Sequence, residues 1–135
     1  MGARRRARAL VLQALYEIDS SGHGEKEVLA TLLEDNGMSP ENNIFVHGLV
    51  SNVIKNRDEL DEKIKSFAPA WPIDQLSIID RSILRLAIYE LLIDNRVSVK
   101  IAINEAVELA KGFGSDNSAR FVNGVLSSVS HLVTG

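Results

Sequence analysis

The chain has 135 residues, with 15 lysines and arginines against 18 aspartates and glutamates, and a formal net charge of −3. This length is sufficient for a domain with its own hydrophobic core. Because the chain contains no cysteine, disulfides, thiol catalysis and cysteine-ligated metal sites are excluded. Proteins that coat nucleic acid nonspecifically are usually basic overall, so any nucleic-acid role of this chain must depend on a local basic patch.

Membrane insertion and secretion are not predicted. No apolar run reaches the roughly 18 residues that suggest a membrane span. Met1 to Arg8 lead into no isolated apolar signal segment. We therefore expect a cytoplasmic protein without a membrane anchor.

The first predicted element is a helix from Ala3 to Asp19, with Val11 and Leu15 on its apolar face. Four arginines crowd its N-terminal turn, where the helix dipole disfavours each cation by several tenths of a kcal/mol. One interpretation is that they bind an external anion, because guanidinium groups match phosphate geometry. The other is a solvated basic tail. The four arginines are Arg4, Arg5, Arg6 and Arg8.

Three more helices are predicted before the middle of the chain: Glu25–Asp35, one that Ser39 and Pro40 open as N-cap and first helical residue, and Asn56–Phe67. Pro69 and Pro72 then bracket Trp71 and predict a change of chain direction. This is where we expect two halves to meet, about 1–70 and about 71–135. Trp71 either stacks on an RNA base or, more in keeping with large aromatics, fills the seam between the halves.

The most apolar predicted helix runs from Gln75 to Ile93, and its apolar residues cover more than one face. We therefore expect it to be central. Two interpretations fit its narrow polar strip. Either its polar side chains find their partners within the protein, with Arg85 paired internally, or they form an edge that docks another protein. The strip consists of Asp80, Arg81, Arg85, Tyr89 and Glu90.

The segment from Ile101 to Leu126 predicts a helix, a hinge and a second helix. Ser98 can cap the first of these helices, and Gly112 and Gly114 should end it, because glycine accepts the left-handed C-cap conformation. Gly124 lies inside the second helix at a cost of roughly 1 kcal/mol relative to alanine. It either permits close helix packing or belongs to a functional surface. Lys111, Arg120 and Asn123 lie near the hinge. Two interpretations fit them: they bind an anion together with the N-terminus of the second helix, or they form a solvated rim.

No catalytic or metal-binding pattern is present in the sequence. His23, His47 and His131 are scattered, and neither a nucleophile elbow nor a phosphate-binding loop occurs. No strand pattern occurs either. We expect a non-enzymatic all-α protein of about seven helices, without metal or cofactor.

Three motifs occur in order and cover nearly the whole chain: RRRARALVLQALY, IDRSILRLAIYEL, and INEAVELAKGFG followed by ARFVNGVL. Together they resemble the NusB family of bacterial antitermination factors. The resemblance implies one NusB-like RNA-binding domain over residues 1–135, a compact fold of two packed three-helix subdomains. It also implies binding of boxA-type single-stranded RNA in nascent transcripts, notably ribosomal RNA. The implied partners are NusE, a small-subunit ribosomal protein, and the RNA polymerase antitermination complex.

The resemblance also implies roles for individual residues. Phe121 could equally be a core residue, and Asn117 stands where some relatives carry an acid. Asp74, Asp80 and Arg81 match the region that faces NusE. The residues expected to contact RNA are Arg4, Arg5, Arg6, Arg8, Gln13, Tyr16, Lys111, Phe113, Arg120, Phe121 and Asn123.

Two alternatives remain open at this point. NusB-like domains also precede methyltransferase domains that act on ribosomal RNA, but such an enzyme needs a Rossmann-type domain with a glycine-rich loop, which these 135 residues lack. A NusB-like homodimer without a direct RNA role is the other alternative.

Overall fold

A computed structural model describes residues 2–34, 36–94 and 96–133, and within these ranges the regular secondary structure is entirely helical. The all-α prediction is therefore confirmed, with seven α-helices in the described part of the chain. The chain divides into two compact units, Met1–Lys55 and Asn56–Gly135. No helix within the described ranges is both long and apolar enough to cross a membrane.

The first unit consists of α1 (Ala3–Ser21), α2 (Glu25–Leu33) and α3 (Pro40–Lys55), and α1 packs against both of the others. Its apolar stripes converge on a core from which solvent is excluded. The Ser39 cap is confirmed, because its Oγ accepts a hydrogen bond from the Asn42 N–H at 3.2 Å. The core residues of this unit include Ala7, Val11, Leu12, Ala14, Val28, Leu29, Val46 and Val50.

The second unit contains four α-helices: α4 (Arg57–Phe67), α5 (Ile78–Ile88), α6 (Val99–Phe113) and α7 (Ser118–Val129). The prediction that the most apolar helix is central is confirmed, since α5 packs against α4, α6 and α7. Ser98 caps α6 as predicted, with its Oγ 3.2 Å from the Ile101 nitrogen. Buried side chains of this unit include Leu60, Ile64, Ile83, Leu84, Ile88, Val122 and Leu126.

The single helix predicted from Gln75 to Ile93 is wrong in its boundaries. A 3-10 turn, Ile73–Gln75, comes first, and α5 begins only after Ser77, whose Oγ accepts from the Asp80 N–H at 3.0 Å. A π-helix, Tyr89–Asp94, follows α5. A π-helical turn adds about one residue per hydrogen-bonded ring, and Tyr89 and Leu91 remain buried in it, so the hydrophobic pattern does not reveal it.

The two units divide at residues 55 and 56, whereas the prolines led us to expect a division near residue 70. Asn56 interrupts the helix with φ −101° and ψ 14°, and α4 packs on α5 and α7. Trp71 is 55% exposed, so the expectation that it fills a seam is wrong. The two prolines beside it hold the indole on a surface turn, because neither residue can continue a helix.

The glycine interpretations also need correction. Gly112 is part of α6, which ends at Gly114 with φ −94°, an extended and not a left-handed conformation. Gly114 is required by close approach instead, since a Cβ there would overlap Ser118 and lie 2.8 Å from the Ala110 carbonyl oxygen. Gly124 is exposed, and a Cβ there would meet no atom within 4 Å. The explanation of Gly124 as a packing glycine is therefore wrong.

Candidate nucleic-acid interface

One exposed face of α1 carries several of the predicted RNA contacts. At 3.6 residues per turn, Arg5 and Tyr16 lie on nearly the same side of the helix, and Arg6 and Gln13 lie beside them. All four side chains are exposed. The Arg6 guanidinium donates to the carbonyl oxygen of Asn36 at 3.2 Å, which steadies it beside the α2–α3 connection. This face therefore offers cations, an amide and an aromatic ring together.

Arg4 and Arg8 lie on the flank of α1 that faces α3, where they share one partner. The Arg4 Cζ lies over the Phe45 ring at 4.0 Å from its centroid, and the Arg8 Cζ lies 5.3 Å from the same centroid. Arg4 also pairs with Glu41, with 3.5 Å between Nη2 and Oε1. Arg8 is only 4% exposed. A buried guanidinium presents little surface to a phosphate, so Arg8 is corrected from an RNA contact to a packing residue.

These contacts explain how α1 tolerates arginines in its first turn, where it has no acidic residue. Each cation costs about 0.3–1 kcal/mol against the helix dipole, and the i, i+4 pair Arg4 and Arg8 adds about 0.2–0.5 kcal/mol of repulsion. A cation over an aromatic ring regains about 0.5–1 kcal/mol at an exposed site and more when desolvated. Phe45 on α3 thus offsets part of this cost, at Arg4 and Arg8.

The hinge between α6 and α7 forms a second cluster, here called the hinge cluster: Lys111, Phe113, Arg120 and Asn123, all exposed. Because α6 and α7 pack against each other and are joined by residues 114–117, the end of α6 and the start of α7 lie at the same end of the pair.

The hinge is fixed by Ser118, whose buried Oγ accepts the Ser115 N–H at 2.9 Å. Asn117 precedes α7 without a side-chain cap bond. Phe121 is half-buried, which leaves part of its ring accessible. Lys111 forms an exposed ion pair with Glu108 at 3.8 Å, and such pairs exchange readily for a phosphate because they are worth little.

The residues expected to face NusE lie at the start of α5. Asp74 is exposed on the 3-10 turn, whereas Asp80 and Arg81 are half-buried. The Arg81 Nη1 lies 3.5 Å from the Leu76 carbonyl oxygen. Asp80 Oδ1 is enclosed and has no hydrogen-bond partner among the described residues.

The prediction that Arg85 is paired internally is confirmed. Its guanidinium forms two hydrogen bonds to Asp61, Nε to Oδ1 at 2.7 Å and Nη2 to Oδ2 at 3.1 Å. This two-point geometry joins α5 to α4 and removes Arg85 from any docking role.

Sequence reasoning missed Phe45 and Glu41. By its spacing, Phe45 is one more apolar residue of α3, and Glu41 is an ordinary acid of the first turn of that helix. Neither residue carries a local signal for its contact, because the arginines that they meet are about 40 positions away in the sequence. Within the described ranges, no group of three or more histidine, aspartate or glutamate side chains could hold a metal.

Comparison with known proteins decides the family. A family model described as the NusB family matches residues 5–131. The chain belongs to the NusB family. The transcription antitermination protein NusB of Dehalococcoides mccartyi strain CBDB1 is 59% identical over 128 residues, which cover 95% of this chain and 90% of the relative. NusB of Bacillus cereus strain B4264 is 41% identical, with 93% and 95% of the two chains covered.

Solved structures show the same NusB fold. T. maritima NusB superimposes with a TM-score of 0.88 at 31% identity, covering 95% of this chain and 90% of that one. A crystal structure of the antitermination factors NusB and NusE in complex with double-stranded RNA gives a TM-score of 0.88 at 26% identity, with 98% of both chains covered. The NusB prediction made from the three motifs is thereby confirmed.

Proposed function

We propose that this protein is a transcription antitermination factor. It binds boxA-type single-stranded RNA in nascent transcripts, notably ribosomal RNA, together with NusE. The complex then supports processive elongation by RNA polymerase in the cytoplasm. The protein acts by binding and not by catalysis. Membership of the NusB family supports this proposal, as do the relatives named antitermination proteins and the structural relative solved with NusE and RNA.

The observation that carries the RNA part is the clustering of exposed cations beside exposed aromatic rings on a chain whose net charge is −3. Arg5, Arg6 and Tyr16 provide this combination on α1. Cations release counterions from the phosphates, and aromatic rings stack with unpaired bases. The surplus of acids elsewhere opposes indiscriminate binding. For RNA binding, the local positive charge of this face thus matters more than the negative net charge of the chain.

The hinge cluster is the second proposed RNA contact. Lys111 and Arg120 supply charge, Asn123 an amide, and Phe113 an exposed ring, while Phe121 contributes the accessible part of its ring. The N-terminus of α7 adds partial positive charge of the kind that favours phosphate.

The proposed NusE contact is the acidic start of α5, with Asp74, Asp80 and Arg81. Asp74 supports this assignment best, because it is exposed on the 3-10 turn and its carboxylate can accept hydrogen bonds from a partner.

The test is the binding of a boxA-like single-stranded RNA across a salt series, alone and with NusE. Arg5→Glu should weaken binding about tenfold at low salt and lower the slope of log K against log salt by about 1, since one phosphate contact is lost. Arg120→Glu, in the hinge cluster, should have the same two effects on affinity and on the salt slope. Arg8→Glu is unsuitable, because it would bury an uncompensated carboxylate.

Matched controls separate a local contact from a general change in charge. Lys26→Glu on α2 and Lys100→Glu on α6 make the same change at exposed positions outside the two clusters, and both should alter affinity much less. Equal losses in all four variants would refute the assigned contacts. Absence of RNA binding by the wild-type chain, with or without NusE, would refute the proposed function.

Self-association is tested by sizing chromatography over a dilution series, with and without RNA. We expect RNA to bind the monomer. A homodimer that RNA leaves intact would favour the alternative of a helical module without a direct RNA role.

A further inference from the structure

Phe45 occupies an unusual position for a residue of an apolar helical stripe. Its ring is half-buried on α3 and lies beneath two guanidinium groups from α1, Arg4 at 4.0 Å and Arg8 at 5.3 Å from Cζ to ring centroid. Glu41, one turn earlier on α3, pairs with Arg4 from the same side. Two residues of α3 therefore fix the position of the Arg4 side chain.

The contact with the ring leaves the donors of Arg4 available. A guanidinium that lies over an aromatic ring uses its flat face, whereas its five N–H donors point outward in the plane of the group. The side chain of Arg4 remains 45% exposed, and the ion pair with Glu41 at 3.5 Å is open to solvent. Arg4 is thus restrained in position and still able to bind a phosphate through its edge.

Restraint of this kind affects binding. A free arginine loses rotamer freedom when it binds a phosphate, and a side chain that is already held loses less of it. Arg8, which is only 4% exposed beside the same ring, cannot make that contact itself. Arg8 instead packs against the Phe45 ring that also holds Arg4.

We propose that Phe45 is a positioning residue of the RNA-binding surface and that it acts through Arg4. The proposal rests on the RNA-binding function proposed above. A purely structural role for Phe45 is the competing explanation. The two differ in one respect: a positioning residue affects RNA binding only while Arg4 is present, whereas a structural residue affects it regardless of Arg4.

The test is a double-mutant cycle of Phe45→Leu and Arg4→Ala, measured as affinity for a boxA-like single-stranded RNA. Leucine keeps an apolar side chain on α3 and removes the aromatic face. Phe45→Leu alone should weaken binding about two- to fivefold, because Arg4 must then lose its rotamer freedom when it binds the phosphate. In the Arg4→Ala background the same substitution should have almost no effect.

Two variants serve as controls. Phe45→Tyr keeps the ring and should retain wild-type affinity. Phe67→Leu removes another half-buried phenylalanine, at the end of α4 in the other unit, and should leave RNA affinity unchanged. Circular dichroism melts check that every variant in the comparison remains folded.

The outcomes distinguish the two proposals from each other. If Phe45→Leu weakens binding equally with and without Arg4, or has no effect in the wild-type background, the positioning role is refuted while the RNA-binding function stands. Loss of affinity in Phe45→Tyr equal to that in Phe45→Leu also refutes the positioning role. If the wild-type chain binds no RNA, the proposed function fails and the positioning role falls with it.

Discussion

Gly124→Ala should stabilise this protein. Gly124 lies in the interior of α7 and is exposed, and a Cβ built there meets no atom within 4 Å. The usual reasons for a helical glycine, a positive φ or a close neighbour, are therefore absent at this position. Alanine is favoured over glycine in a helix interior by roughly 1 kcal/mol, so the free energy of unfolding should rise by about that amount.

Two other glycines provide matched comparisons. Gly48 lies inside α3 and also has open space where a Cβ would be, so Gly48→Ala should stabilise the first unit similarly. Gly114→Ala should do the opposite. Its Cβ would overlap Ser118 and lie 2.8 Å from the Ala110 carbonyl oxygen, and a backbone atom cannot move aside cheaply. We expect a loss of about 1–3 kcal/mol, the usual cost of overpacking.

The assay is urea unfolding followed by far-UV circular dichroism. With slopes of about 1–3 kcal/mol per M, a gain of 1 kcal/mol moves the midpoint upward by about 0.3–1 M urea. Because the chain has two compact units, fluorescence of Trp71, which lies in the second unit, should be followed in parallel. Unchanged or lower stability of Gly124→Ala, with the helical content retained, would refute the assignment of an open surface at this position.

Two further predictions concern charged residues. Arg85→Ala should lower the free energy of unfolding by about 3 kcal/mol, because it leaves the mostly enclosed Asp61 carboxylate unpaired. Lys65→Ala, which breaks a pair with Glu62 that is exposed on both sides, should change it little, and equal effects in chemical denaturation would contradict this. Asp80→Lys should weaken NusE binding in a pull-down or titration without changing the affinity for RNA alone. The control Asp58→Lys, at an exposed position on α4, should change neither affinity. If Asp80→Lys retained its affinity for NusE, the partner face would lie elsewhere.

Much of this protein could be predicted from its sequence because the determining interactions are local. The 3.6-residue spacing of apolar side chains placed most of the helices, and Ser39 and Ser98 capped theirs as expected. Both signals depend on residues within one or two turns of each other. The three NusB motifs likewise identified the family without any knowledge of the fold.

The tertiary structure decided which of the charged and small residues are accessible. The sequence placed Arg4, Arg5 and Arg8 in one basic run, yet Arg8 is buried on a ring from α3 while Arg5 is exposed on α1. Gly124, whose role the sequence left open, faces open space. The physical reason is the same in each case. Helical periodicity determines the direction in which a side chain leaves its own helix, but only the packing of sequence-distant helices determines what that side chain meets.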